Sequence, residues 1–226
     1  LGGTLGADGK VTWAPAVSWD AALTAKGIDP GVHYPEWPGN LELALSSKGG
    51  IKDEKLDLTA VIDRLNGTLR ERPLDGQGRV LIQGDEIRLE KVTLSSGAAV
   101  VRADGNLGES SDLGWSLDVA DLADLAADAS GKISGSGSVR GAMLEPSVEG
   151  KLTVDALSFQ DLAVKSMAAD IALDLSDKTA SRVELRSENI GFGAEEITSL
   201  ALQADGRKKD HRLEVQMEHA LASLGL

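Results

Sequence analysis

The 226-residue chain contains no cysteine, so disulfides, thiolate zinc sites and cysteine nucleophiles are excluded together. Aromatic residues make up only 3% of it and proline occurs six times. A compact globule ordinarily anchors its core on more large rings. The apolar surface must therefore come from Leu, Val, Ile and Ala in a thin, repetitive sheet. No apolar run reaches the length of about 18 residues that a membrane-spanning helix needs. No charged-then-apolar leader opens the sequence, which begins on Leu1 and reads as an excised segment of a longer protein. Basic residues are also scarce, 23 against 36 acidic, for a net charge of −13. They are scattered apart from Arg207, Lys208 and Lys209 beside Arg212. The stripe that would displace counterions from phosphate is missing, so nucleic acid is not expected as a partner. Direct electrostatic adsorption to an anionic membrane surface is disfavoured for the same reason.

What is present is a period of two. Leu113, Trp115, Leu117 and Val119 alternate with polar or small residues, as do Met167, Ala169, Ile171, Leu173 and Leu175. Such runs are strands with one apolar face. The same period recurs in Leu41, Leu43, Leu45; Ile87, Leu89; Leu152, Val154; Leu200, Leu202, Ala204; and Leu213, Val215, Met217. About a dozen or more strands of roughly 5 to 8 residues are expected. Asp8-Gly9, Asn66-Gly67, Asp75-Gly76, Ser96-Gly97, Asp104-Gly105 and Asp205-Gly206 favour turns between antiparallel neighbours. Gly-x-Leu and Gly-x-Val units recur irregularly, as at Gly67 to Leu69 and Gly150 to Leu152, which is the grammar of stacked strand units. Only residues 119–128, where Val119, Leu122, Leu125 and Ala126 fall at helical spacing, predict a short helix or an irregular crossing. Residues 1–38 are a less regular start to a single segment spanning 1–226, with a strand pair at 11–13 and 18–23 and then a proline-rich connection.

The sequence carries little of the chemistry that catalysis needs. His33, His211 and His219 do not form a metal-ligand pattern, and Asp118, Asp121, Asp124 and Asp128 lack the alternate spacing and the glycine of a calcium loop. Gly135, Gly137 and Gly141 miss the dinucleotide fingerprint, and no Walker A motif, nucleophile elbow or His-Glu-x-x-His occurs. Glu195 and Glu196 are adjacent and diverge on a strand, which is unsuited to a glycosidase pair. No catalytic residue, metal or cofactor is expected, and the chain is read as not an enzyme.

Several stretches carry a resemblance: Leu65-Asn66-Gly67-Thr68-Leu69, Pro73-Leu74-Asp75-Gly76-Gln77-Gly78-Arg79-Val80 and Asp104-Gly105-Asn106-Leu107-Gly108. The strongest is Gly131-Lys132-Ile133-Ser134-Gly135-Ser136-Gly137-Ser138-Val139-Arg140-Gly141, followed by Pro146-Ser147-Val148-Glu149-Gly150-Lys151-Leu152. In this succession the chain resembles the periplasmic region of the TamB family, within the AsmA-like inter-membrane bridge proteins. The likeness covers most of the chain from about residue 39, and Trp13, Trp19, Asp29-Pro30 and Pro38-Gly39 also fit.

The resemblance implies an elongated, taco-like, open-ended antiparallel β-sheet with an apolar concave groove. It implies a periplasmic segment of a single-pass inner-membrane protein whose anchor lies outside this chain. It also implies phospholipid acyl chains as cargo, and a TamA-like outer-membrane barrel partner engaged in outer-membrane protein assembly. The inward residues are then Leu113, Trp115, Leu117, Leu152, Val154, Ile171, Leu173, Leu175, Leu213 and Val215. Trp115 reads either as groove wall or as ordinary core anchor. The alternative function is a β-solenoid or adhesin-type stalk, whose apolar faces pack on themselves and hold no ligand. Unpaired strands at the two ends of such a sheet predict self-association through their edges.

Overall fold

The computed structural model describes residues 2–126, 128–193 and 195–219. The chain is all-β, and its strands follow one another in an antiparallel ladder. They are β1 (Thr4–Thr12), β2 (Val17–Ile28), β3 (Gly39–Lys52), β4 (Lys55–Leu69), β5 (Arg72–Gln83), β6 (Glu86–Ser96) and β7 (Ala99–Leu107), then β8 (Ser111–Val119), β9 (Ala129–Ala142), β10 (Glu145–Phe159), β11 (Leu162–Asp174), β12 (Ser181–Phe192), β13 (Glu195–Arg207) and β14 (Asp210–His219). Sheet order equals chain order from β1 to β14, so the sheet is unclosed. The chain divides into two compact units, Leu1–Trp115 and Ser116–Leu226.

The strands are 9 to 15 residues long, longer than the alternating runs alone predict. The cause lies at the five Asx-Gly pairs, all of which sit inside strands rather than between them. Gly67 in β4 has φ +141° and Gly105 in β7 has φ +130°. A Cβ on Gly67 would lie 2.1 Å from the Asn40 carbonyl oxygen, and one on Gly105 the same distance from that of Asp112. These glycines admit a close backbone neighbour while the strand continues. The turns are instead tight two-residue links. Lys52 pairs with Lys55 around Asp53 and Glu54, and Leu69 with Arg72 around Arg70 and Glu71. All four linking residues have positive φ, between 51° and 64°, the type I′ geometry that matches strand twist. Ser96-Gly97 does stand at a turn, with Ser96 paired to Ala99.

Residues 119–128 contain one turn of 3-10 helix, Leu122–Asp124, capped by the Asp121 carboxylate, which accepts from the Ala123 N–H at 3.0 Å. A second such turn, Pro30–Val32, lies in the connection after β2, where the Asp29 carboxylate accepts from the Gly31 and Gly39 N–H groups. The strand pair expected near the start is present but longer, as β1 and β2.

Register shifts bend the ladder in both units. In unit 1 they fall between Ala25 and Ile28, Ala44 and Leu45, Ile62 and Leu65, Gln77 and Arg79, and Leu89 and Val92. In unit 2 they fall between Asp155 and Ser158 and between Ile197 and Ser199. The inserted residues Gly27, Lys91 and Ala156 have positive φ. A bulge adds a residue to one strand only, which raises the local twist and curls the sheet.

Candidate functional site

Pairing register places the apolar positions of unit 2 on one face. One row of directly opposed residues runs Leu152, Ala169, Leu185, Leu202 and Val215 from β10 to β14. The next runs Val154, Met167, Ser187, Leu200 and Met217, and a third Ile171, Val183, Ala204 and Leu213. Leu173 faces Val148 on the same side. Six of the ten expected groove residues therefore share this face: Leu152, Val154, Ile171, Leu173, Leu213 and Val215. Val183 and Leu185, which their own alternation in β12 marks, belong with them and were not among the residues selected from sequence.

Shelter varies along the rows. Val154 is 3% exposed and is packed by protein, Leu152, Ile171 and Leu173 are half-buried, and Leu213 and Val215 stand 60% and 55% exposed. The last two are open because β14 has a strand neighbour only on its β13 side among the described residues. Ser187 is the polar interruption, and its hydroxyl donates to the Ser166 carbonyl at 2.9 Å, so the face carries no unmet donor there. Leu175 departs from the alternating run, because β11 ends at Asp174. The Asp174 carboxylate accepts from the Ser176 N–H and hydroxyl and from the Thr179 N–H and hydroxyl at 2.5 to 2.8 Å, which turns the chain out of the sheet. The Ser176 hydroxyl, then the hydroxyl and backbone N–H of Thr179, hold this carboxyl far below the usual carboxylate range.

Unit 1 carries an equivalent face. Leu43, Leu65, Gly76, Leu94 and Val101 form one row from β3 to β7, and Leu58, Ile82, Ile87 and Leu107 another from β4 to β7. Trp19 lies on it, its ring against Gly49 and its indole N–H donating to the Ser47 hydroxyl at 2.9 Å. Leu113 of β8 follows Gly105 on this wall, since the Gly105 backbone lies directly against the Leu113 Cα. Leu113, Trp115 and, beyond the boundary between units, Leu117 are each half-buried.

The opposite face is polar. Lys48 meets Asp20 at 3.4 Å and Arg79 meets Glu90 at 3.5 Å in unit 1. In unit 2 Lys151 meets Asp170 at 3.4 Å and Arg140 meets Glu149 at 3.2 Å. A shallow depression of about 470 Å³ is lined by Lys151, Asp170, Arg182 and Glu184 of this side and also by Ile171. Among the described residues no three His, Asp or Glu side chains are grouped to hold a metal.

The model of the TamB N-terminal domain matches residues 1–226. The chain belongs to the TamB family. The match extends the likeness read from the glycine-rich motifs over the irregular start as well, including Trp13, Trp19 and the 3-10 turn at Pro30–Val32. No solved structure matches this TamB-family chain. No helix among its described residues is long and apolar enough to cross a membrane.

Proposed function

We propose that this chain is a periplasmic segment of a TamB-type bridge whose apolar face shields phospholipid acyl chains between the inner and outer membranes. The bridge would be tethered by an inner-membrane anchor outside this sequence and joined to a TamA-like barrel that assembles outer-membrane proteins. The observation that carries this reading is the pairing register itself. It gathers Leu, Ile and Val into continuous rows on one side of an unclosed sheet, and puts the ion pairs on the other. An apolar sheet face must be covered by something, and a curled single layer has room for acyl chains where a sandwich has a second sheet. At about 0.8 kcal/mol per buried methylene, a 16-carbon tail gains on the order of 10 kcal/mol before ordering costs. Rows without a charged side chain give a tail no fixed anchor, so it can slide along them.

Phospholipid is expected to co-purify with the chain under mild conditions and to be identified by mass spectrometry. Leu173→Asp and Leu117→Asp are expected to lose it. Val215→Asp, at an exposed position of the same rows, tests the face without disturbing packing. If no lipid accompanies the parent and the half-buried variants unfold, the rows are a filled core and the stalk reading replaces this one. The well-packed Val154 is the observation that favours the stalk. The strands at the two ends of the sheet are also expected to self-associate through their edges, and a strict monomer by sedimentation at high concentration would rule that out.

A further inference from the structure

One rim of unit 2 breaks the local rules of turn chemistry. The two residues linking β9 to β10 are Met143 and Leu144, where polar or glycine residues are ordinary, and Leu144 is 95% exposed. The adjacent loop, residues 175–180, adds an exposed Leu175, whose N–H donates to the Pro146 carbonyl at 2.9 Å. The next link, at Lys208 and Lys209, is tied to that loop. The Arg207 guanidinium donates to the Asp177 and Lys178 carbonyls at 3.3 Å, and the Lys208 N–H donates to the Asp177 carboxylate at 3.1 Å. With Asp174 folding the loop from within, these three connections form one hydrogen-bonded platform.

The platform presents apolar tips beside free cations. Lys178, Lys208 and Lys209 are exposed and make no ion pair among the described residues. The carboxylates of the same rim are Glu145, Asp174, Asp177 and Asp210; the charges of Asp174 and Asp177 are drawn into the platform, where they accept its N–H and hydroxyl groups, while the three lysines stand exposed to the outside. The net charge of −13 opposes adsorption of the whole chain, but charges farther than about 10 Å away are screened at physiological salt, so the local pattern governs a docking rim.

We propose that this rim docks on an anionic phospholipid surface, with Met143 and Leu144 entering the acyl boundary and Lys178, Lys208 and Lys209 meeting headgroup phosphates. Exposed apolar tips flanked by lysines are the composition of an interfacial anchor. The docking rests on the rim and fails or stands independently of the groove. If the groove reading also holds, Leu175 and Leu173 give a tail a short apolar path from the membrane surface onto the sheet.

The chain has no cysteine, so Leu144→Cys accepts a single environment-sensitive fluorophore, with Gln160→Cys at the opposite ends of the unit 2 strands as the control. Vesicles of phosphatidylcholine with phosphatidylglycerol are expected to blue-shift the probe at 144 and leave that at 160 unchanged. Vesicles of phosphatidylcholine alone should bind far more weakly. Replacing Lys178, Lys208 and Lys209 together by Gln is expected to weaken binding about a hundredfold, roughly fivefold for each lysine. Leu144→Asp should abolish the binding while circular dichroism stays unchanged. Val215→Asp should bind vesicles like the parent whether or not it retains lipid. Absent binding to the anionic vesicles, undiminished binding by the Gln variant, a shift at 160 instead of 144, or loss of binding in Val215→Asp would each overturn the proposal.

Discussion

In unit 1 the deeply buried apolar residues are Ala25, Leu74 and Ala99, whereas in unit 2 they are Val119, Leu122, Ala129, Val154, Val164 and Ala169. Both units use the same hairpin ladder with the same division into an apolar and a polar face. Part of the difference lies in one short segment. In unit 2 the chain leaves β8 at Val119, makes the 3-10 turn that buries Leu122, and returns at Ala129, so three of the six belong to this connection and its flanks, whereas the unit 1 turn at Pro30–Val32 buries none of its residues. An apolar face thus becomes partly core when its own chain crosses it. Unit 1, whose 3-10 turn buries no residue, has fewer deeply buried apolar side chains along its wall.

The largest test of this contrast is an aspartate placed in each wall. Val154→Asp buries an uncompensated charge and is expected to destabilise unit 2 by about 3–5 kcal/mol. Leu43→Asp, at a half-buried position in unit 1, should cost markedly less, and equal losses by denaturant unfolding would erase the distinction. The bulges come next. Gly105→Val forces a side chain into positive φ against the Asp112 carbonyl and should cost about 1–3 kcal/mol or more. Ala156→Gly relieves a left-handed φ of 50° at the unit 2 bulge and should stabilise it by about 1 kcal/mol in thermal melts.

Asp174 gives a smaller, pH-dependent effect. Its folded carboxyl titrates below the unfolded value of about 3.9, so its contribution is fully present above that value and fades as pH falls through the folded one. Asp174→Asn should therefore be less stable than the parent at pH 7, with the gap narrowing below about pH 4. A gap independent of pH would show that the loop is held by other bonds. The smallest effect belongs to the polar faces. Lys48→Ala and Lys151→Ala remove exposed ion pairs and should each change stability by about 0.5 kcal/mol or less, equally in the two units.

Alternation made the strands and their apolar sides legible, because side chains of successive strand residues point to opposite faces and no other structure has that period. Leu152 and Val154, Ile171 and Leu173, and Leu213 and Val215 alternate in the sequence, and the pairing register sets them on one face. The turns were not legible. Asn66-Gly67 and Asp104-Gly105 do signal positive φ, but the same backbone freedom serves a close strand neighbour as well as a turn, and only the neighbour distinguishes them. Asp53-Glu54 and Arg70-Glu71 carry no glycine and adopt the turn because the ladder on either side requires it. Leu175 was misplaced because its strand is ended by a carboxylate whose partners, Ser176 and Thr179, lie beyond the alternating run.

By itself the sequence determined an all-β, cysteine-free chain with one apolar and one polar side, since period and composition are local properties. Its glycine-rich motifs also pointed to the family. Which residues on the apolar side are sealed and which stay open was decided only by tertiary structure. Exposure depends on what crosses a face and on whether a strand has a neighbour, and both are relations between residues far apart in the chain. Val154 and Val215 illustrate it: they are the same residue type on the same face, one on a strand with neighbours on both sides and the other on a strand with a single neighbour among the described residues.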